Sequence, residues 1–311
     1  MHVSRPRTRV AALALVVTAA LAGGAVPAAS AARASSPAAV AKSTPSSYDT
    51  EYNKAVAVRV LTGVIPNGDY GLVDQYIRDD YIQHNPNIAD GAAAFKGFAG
   101  WMRSQYPNFQ YNVKRVVAEG DLVIVHGNPV QVPGTRGVAL FDIYRFQDGK
   151  IAEHWDVVQP VPATTVSGND MFSTLSSPQP GTPVSKRETA RNEKLVKKYV
   201  NRLYKGRDVT AVDRYVAPDV REHAPELGDG AAAVKQGVST YLAENPELTY
   251  DTKRVIAEGD LVAVHSHVTA VPGTRGEAVI DMYRVRNGKI VEHWKSVQAV
   301  PETSANDNTM F

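Results

Sequence analysis

The sequence predicts an α+β protein made of two tandem copies of one domain, each with helices first and a curved antiparallel sheet after them. Three observations carry this expectation. The chain has 311 residues, about twice the usual length of a domain. The segment KRVVAEGDLVIVH at Lys114–His126 recurs as KRVIAEGDLVAVH at Lys253–His265. Within each copy the apolar period changes from 3.6 to 2 partway along. VPGTRG at Val132–Gly137 returns unchanged at Val271–Gly276, and GKIAEHWDVVQPVP at Gly149–Pro162 returns as GKIVEHWKSVQAVP at Gly288–Pro301. All of these pairs share one offset of 139 residues. Solenoid repeats are far shorter, so the period describes whole globular domains.

Taken in order, Arg5, Arg7 and Arg9 precede the apolar run Val10–Ala22, and Ala29-Ser30-Ala31 follows. A basic start, a short apolar run and small residues at a cleavage point predict a secretory signal peptide over residues 1–31, and hence a secreted protein. The run is short of the ~20 residues that span a bilayer. An uncleaved anchor is the alternative. Residues 32–47, rich in Ala, Ser and Pro, read as a disordered lead-in, and Ser173–Ser185 (STLSSPQPGTPVS) as a linker. The domains are therefore expected over 48–172 and 186–311.

In the first copy, Val56, Val60 and Val64 place a helix over Tyr52–Ile65. Asp69 is expected to cap a short helix through Ile77, with Leu72, Val73 and Tyr76 as its apolar side. Asp90 starts a third helix, ended by Pro107. Strands follow over Tyr111–Ala118, Leu122–Gln131, Val138–Gln147 and Lys150–Gln159, joined by the turns Glu119-Gly120-Asp121 and Asp148-Gly149. Such a sheet, curled around a helix, leaves a concave pocket.

Composition narrows the chemistry. There is no cysteine, which excludes disulfides, thiolate metal sites and thiol nucleophiles. The formal net charge is +2, and loss of the three leader arginines leaves −1. The first copy carries 10 basic and 14 acidic residues and the second 19 and 18, so neither is a polycationic surface for nucleic acid. Glycine-rich phosphate loops and a nucleophile elbow are missing as well. The expected partner is a small molecule, with no membrane contact after cleavage and no nucleic acid.

The motif series Tyr81-Ile82-Gln83-His84-Asn85-Pro86, Asp90-Gly91, Ala118-Glu119-Gly120-Asp121, Asp142-Ile143-Tyr144-Arg145 and Gly149-Lys150-Ile151-Ala152-Glu153-His154-Trp155-Asp156 resembles the SnoaL-like family. That family belongs to the nuclear-transport-factor-2-like superfamily, and the branch most resembled is the predicted SnoaL-like aldol condensation-catalysing enzymes. The resemblance covers essentially all of 48–172 and again 186–311. It implies two cone-shaped α+β barrels, pairing of the two domains within the chain as family dimers pair, and cofactor-free aldol or cyclase chemistry in which an acid late in the sheet moves protons. This superfamily hosts many chemistries and many plain binding pockets, so the residues must decide.

Strand alternation offers a test of its own. Asp142 and Tyr144 share one face of their strand, and His154 and Asp156 share one face of the next. If the face of His126 coincides with these, then His126, Asp142, Tyr144, His154 and Asp156 converge on one pocket among aliphatic side chains. Burial there shifts pKa values toward the working range of a general base. By its position in the strand order Asp156 matches the acid that the resemblance implies, with Asp142 in the polar position one strand earlier. In the implied mechanism Asp156 is the base, and His126, His154 or Tyr144 are the donors to an enolate oxygen. His84 would reach the pocket mouth. Blander roles stand beside these. Asp142 could tie His154 or Arg145 within the sheet, His84 could be a turn residue, and Arg136 a solvated turn charge. Trp155 and Phe141 would fill core or an interface. Mixed His and carboxylate ligands could hold a divalent ion, but the first copy has no closely spaced His pair, and no metal or cofactor is expected.

In the second copy His223, His265, Asp281, Tyr283 and His293 repeat their counterparts, while Lys295 replaces Asp156. Lys295 would pair with Asp281 or project as a cation, and a Schiff-base role has nothing else in its favour. The second pocket is therefore expected to have lost the first one's chemistry. The function expected is acid/base catalysis on a small apolar carbonyl compound. The alternative is an extracellular module that binds such a ligand without turnover.

Overall fold

The computed structural model describes residues 46, 48–174 and 184–311. The expected signal peptide, nearly all of the lead-in and most of the linker lie outside the described residues.

Helix α1 (Thr50–Asn67) starts where the Asp49 side chain accepts the Tyr52 amide and ends at Gly68 in the left-handed region. Its buried positions include Val56, Val60 and Val64, as the 3.6 period requires. The short helix α2 (Gly71–Tyr76) begins at Tyr70 with no side-chain cap, so Asp69 does not take the capping role expected of it. Helix α3 (Ala92–Gln105) starts at Gly91, whose φ of 93° suits glycine. Asp90 points elsewhere and accepts the Gln83 amide at 2.7 Å.

Five strands complete the domain: β1 (Ile77–Gln83), β2 (Gln110–Glu119), β3 (Leu122–Val130), β4 (Val138–Gln147) and β5 (Lys150–Pro160). Strand β1 is absent from the sequence expectation, because IRDDYIQ alternates poorly and three of its seven residues are charged. It pairs parallel to β5, giving the order β1-β5-β4-β3-β2. The sheet is thus mixed rather than purely antiparallel, and it stays open instead of closing into a barrel.

The second domain repeats this plan. Its α4 (Lys186–Val200) runs on into a π turn at Asn201–Lys205, followed by α5 (Thr210–Tyr215), β6 (Val216–Glu222) and α6 (Ala231–Glu244). The meander β7 (Thr249–Glu258), β8 (Leu261–Thr269), β9 (Glu277–Arg286) and β10 (Lys289–Ala299) follows, with sheet order β6-β10-β9-β8-β7.

Each sheet packs one face on its own helices. In the first domain Val56, Val60, Leu72, Val123, Val125 and Tyr144 share that core. The opposite faces of the two sheets meet each other, and Ile124, Phe141, Ile143, Trp155 and Val157 bury with Ile256, Ile280, Met282 and Trp294. Full burial of such side chains contributes ~1.5–3 kcal/mol each. Polar contacts at this seam come in pairs at the repeat offset. Glu258 accepts the Ala118 amide and Glu119 the Ala257 amide, each at 2.8 Å. Gln298 accepts the Val158 amide and Gln159 the Val297 amide. Arg115 lies 4.0 Å above Trp294, and Arg254 3.8 Å above Trp155.

The tails cross as well. The Asn306 amide donates to Asn85 O and Ile88 O at 2.8 and 2.7 Å, and the Asn308 amide to Gln83 O at 3.0 Å. Reciprocally, Asn169 donates to Glu222 O at 2.8 Å, and the Val166 amide to Pro225 O at 2.9 Å.

The repeated VPGTRG loop has a backbone cause. Gly134 and Gly137 have φ of 83° and 65°, and a Cβ on Gly137 would lie 2.1 Å from Pro129 O. Arg136 is exposed, the solvated turn charge expected. Gly137→Ala should cost ~1–3 kcal/mol of stability, read by chemical denaturation; an unchanged midpoint would contradict the assigned backbone.

Candidate active site

The register of the central strands decides which side chains meet. Asp142 pairs with Asp156 and Tyr144 with His154 across β4–β5, so these four share the face covered by the helices. On β3 the residue opposite Asp142 is Val125, while His126 faces Phe141. A one-residue difference in register reverses the face, and His126 accordingly lies on the seam side, stacked 4.1 Å from Phe141. The expectation that His126 joins the pocket is corrected. Its Nδ1 accepts from Arg115 Nη1 at 2.5 Å. Burial and then Arg115 hold its pKa well below the ordinary value, so it is a neutral ring at an interface.

His84 is corrected in the same way. It follows β1, stacks on Trp155 at 4.8 Å, donates from Nδ1 to Thr309 O at 2.5 Å and faces Glu153 through Nε2 at 2.8 Å. All three partners belong to the seam side or to the second domain's tail.

The remaining four form a buried polar cluster. Asp142 accepts His154 Nε2 on Oδ1 at 3.0 Å and the Tyr111 hydroxyl on Oδ2. His154 Nδ1 meets Gln83 Oε1 at 2.9 Å, and Tyr144 stacks on the imidazole at 4.8 Å. Both oxygens of Asp142 are therefore committed. Asp142 is thus the tie to His154 within the sheet, the blander of its two roles, and not a free base. Asp156 differs. Its Oδ2 accepts the Asn85 amide at 2.6 Å, but Oδ1 is buried with no hydrogen-bond partner among the described residues.

Burial pushes the Asp156 carboxyl up to about 6; the charge of Asp142 adds to this, while His154 and Asn85 hold it back. Burial first, and then Asp142, raise the Tyr111 and Tyr144 hydroxyls well above their ordinary value, so both remain donors at neutral pH. Tyr111, Gln83 and Asn85 are site residues that strand alternation did not single out. A signal existed for Tyr111, because a tyrosine recurs at Tyr250 in the second copy. Gln83 and Asn85 sit around the unassigned β1.

One donor atom each of Asp142, His154 and Asp156 lies within 4.8 Å of the others, a spacing that can hold a metal ion. A cation there would displace the partners that already occupy His154 and Asp142, leaving only Asp156 Oδ1 free to bind without rearrangement.

The second domain's cluster has become a network of ion pairs. His293 is held between Glu222 Oε2 at 2.8 Å and Asp281 Oδ1 at 2.9 Å, and Tyr250 donates to Asp281 Oδ2 at 2.6 Å. Burial works against its charge, but Glu222 and Asp281 outweigh it and raise the imidazole to about 10. Tyr283 stacks on His293 at 4.6 Å. Lys295 reaches Glu226 at 2.6 Å rather than Asp281. Burial opposes its charge, and Glu226 with Asp281 raises its pKa overall. His223 and His265, like their counterparts, lie on the seam side. His223 stacks on Trp294 and donates to Asp170 O at 2.7 Å, and His265 pairs with Ile280. Of the residues expected in this pocket, then, Asp281, Tyr283, His293 and Lys295 converge, and His223 and His265 do not. Beside His293 lies a cavity of 10 Å³, lined also by Tyr199, Tyr204, Glu222 and Tyr283, about the space of one water molecule.

A family model described as SnoaL-like polyketide cyclase matches residues 55–165, and one described as SnoaL-like domain matches residues 196–293. Among solved structures, a candidate polyketide cyclase from Acidithiobacillus ferrooxidans is 20% identical over 37% of this chain and 92% of its own, with a TM-score of 0.32. IdmH, a candidate polyketide cyclase from Streptomyces antibioticus, is 22% identical over 34% of this chain and 91% of its own, with a TM-score of 0.30. An NTF2-like protein of unknown function from Mesorhizobium loti is 18% identical over 38% and 99%, with a TM-score of 0.33. No curated protein matches the chain.

Proposed function

The chain belongs to the SnoaL-like family in both of its domains, and from that premise we propose that the first domain catalyses a cofactor-free aldol-type cyclisation or isomerisation of a small apolar carbonyl compound. The observation that carries this reading is the Asp156 carboxyl, buried, raised to about 6 and left with one oxygen unpartnered. A base whose pKa lies near the working pH combines a populated anion with useful proton affinity.

In the proposed step, Asp156 Oδ1 takes a proton from the carbon next to a carbonyl. The electron pair of that C–H bond becomes the enolate, and its oxygen takes a hydrogen bond from the Tyr144 hydroxyl. The enolate carbon then attacks a second carbonyl of the same molecule, forming the carbon–carbon bond, and the new alkoxide recovers the proton from Asp156. His154, Asp142 and Tyr111 hold the floor of the site, and Asn85 fixes the rotamer of Asp156.

The second domain supplies the contrast. With Lys295 where the first domain has Asp156, and with His293 locked between two carboxylates, it has no base of this kind and serves a structural part. The leader arginines, the short apolar run and the Ala29-Ser30-Ala31 site support export of the protein.

The test is cyclisation of a linear diketone with three carbons between its carbonyls, the spacing that closes a six-membered ring. The wild-type chain should accelerate it, and Asp156→Asn should lose at least about a hundredfold of that rate with the fold intact. Equal rates for the two proteins would sink the assignment.

A further inference from the structure

Charge on the second domain is unevenly placed. Over residues 186–208 the sequence carries nine lysines and arginines against three acids, whereas residues 209–311 carry ten against fifteen. The near-neutral total of the domain hides this division. The counterpart segment of the first domain, residues 47–69, has two cations and three acids, so neither the helix nor the core beneath it requires the excess. Most of it sits on α4, where Arg187, Arg191, Lys194 and Lys198 recur at i, i+4, i+7 and i+11. That spacing makes one straight row about 16 Å long. The counterparts in the first domain are Tyr48, Tyr52, Ala55 and Arg59.

All four side chains are exposed, and none has a hydrogen bond or ion pair among the described residues. Neighbouring cations are engaged: Lys197 pairs with Glu193, Arg202 with Asp208, and Arg207 donates to Leu242 O. The opposite side of α4, with Val196, Tyr199 and Val200, is buried in the domain core. The helix therefore has no apolar face left to insert into a partner. Its exposed side between residues 186 and 198 holds no aromatic or amide side chain to stack on a base or read one. What remains is charge alone, in a straight row, on a domain whose other residues are acidic in sum. An extended anionic plane attracts the row and repels the rest, and so fixes one orientation. A small anion does neither.

We propose that α4 docks the chain peripherally on an anionic lipid bilayer, with Arg187, Arg191, Lys194 and Lys198 against the phosphates of the headgroups. The expectation of no membrane contact after cleavage considered the leader, and the row on α4 lies outside it. The surface is separate from Asp156 and stands whether or not the first domain is catalytic.

Vesicles of phosphatidylglycerol mixed with phosphatidylcholine, against phosphatidylcholine alone, are the probe. The full chain is used in every arm, so that any affinity of the leader is common to all. Arg187→Gln, Arg191→Gln, Lys194→Gln and Lys198→Gln together should lower partitioning onto the anionic vesicles by about fivefold for each charge removed. Partitioning onto the neutral vesicles should not change, and about 0.5 M salt should abolish the difference between the two proteins. The chain has no cysteine, so a single introduced thiol can carry a fluorophore. Placed on Ala190→Cys, beside the row, the fluorophore should be quenched by a nitroxide on the headgroups of anionic vesicles. Placed on Ser104→Cys, an exposed position on α3 of the first domain, it should not. This pair decides if the glutamine variant disturbs the fold. Equal partitioning of wild type and a folded glutamine variant, absent quenching at residue 190 or equal quenching at both labels, or tighter binding to duplex DNA than to anionic vesicles at the same phosphate concentration would each overturn the proposal.

Discussion

Asp156→Asn is expected to make the folded chain more stable at pH 8, by up to about 3 kcal/mol, and this gain should shrink as the pH falls from 6 toward 4. The folded carboxyl titrates at about 6 against 3.8 for an unperturbed one, so folding disfavours its ionised form. Below 3.8 the group is neutral in both states and contributes no penalty. Through the window from 3.8 to 6 the unfolded chain gives up its proton first, and wild-type stability declines as pH rises. Above about 6 the penalty is complete, at ~1.4 kcal/mol for each unit of displacement. Asparagine removes the charge and keeps an oxygen for the Asn85 amide. Denaturant titrations of both proteins at pH 8 and pH 5 check this. Equal stability at pH 8, or a gain that does not depend on pH, would show that the carboxyl is not strained as described. Under the proposed function, the substitution that removes the base would thus strengthen the fold, the usual exchange between stability and activity.

His293→Gln is expected to have the opposite sign and a larger size, a loss of ~3–5 kcal/mol at pH 7, because it leaves Glu222 and Asp281 buried without their shared cation. The raised pKa of about 10 means that the stabilisation is complete below 6.5 and disappears as pH rises through about 10. The double variant His293→Gln with Glu222→Gln should recover part of the loss, since one of the two stranded carboxylates is gone. His154→Gln in the first domain should cost less, because His154 bridges one carboxylate and a neutral amide. Thermal and denaturant unfolding of the four proteins measure these differences, and an equal cost for His154 and His293 would refute the distinction drawn between the domains.

Much of the fold could be read from the sequence because the repeat doubled every signal. The strand expected over Val138–Gln147 has those same bounds in the structure, and the neighbouring strands differ by a residue or so at their ends. What escaped was β1, whose partner β5 is about seventy residues away and whose own pattern is too polar to announce a strand. That one omission hid Gln83 and Asn85 and turned a mixed sheet into an antiparallel one. Within each strand alternation sorted the faces properly, so Asp142 with Tyr144 and His154 with Asp156 were separated from Trp155 and Phe141. Alternation cannot align one strand with the next, which depends on turn geometry. His126 and His265 were misplaced for that reason, and His84 and His223 because a residue past the end of a strand has no alternation to follow. The contrast between Asp156 and Lys295 was visible at once, but the compensating change of Gln83 to Glu222 only acquires meaning beside His293.

The crossed tails bear on how the chain unfolds. Asn306 and Asn308 satisfy backbone carbonyls of the loop that carries Gln83 and Asn85, and Asn169 does the same for Glu222. Neither loop can therefore be released without loosening the tail of the other domain, and separating the sheets would expose Trp155 and Trp294 together. Two domains that share hydrogen bonds and apolar surface in this way are coupled, and their unfolding is expected to be one cooperative transition rather than two. The domain that carries Lys295 then contributes to the rigidity of the one that carries Asp156.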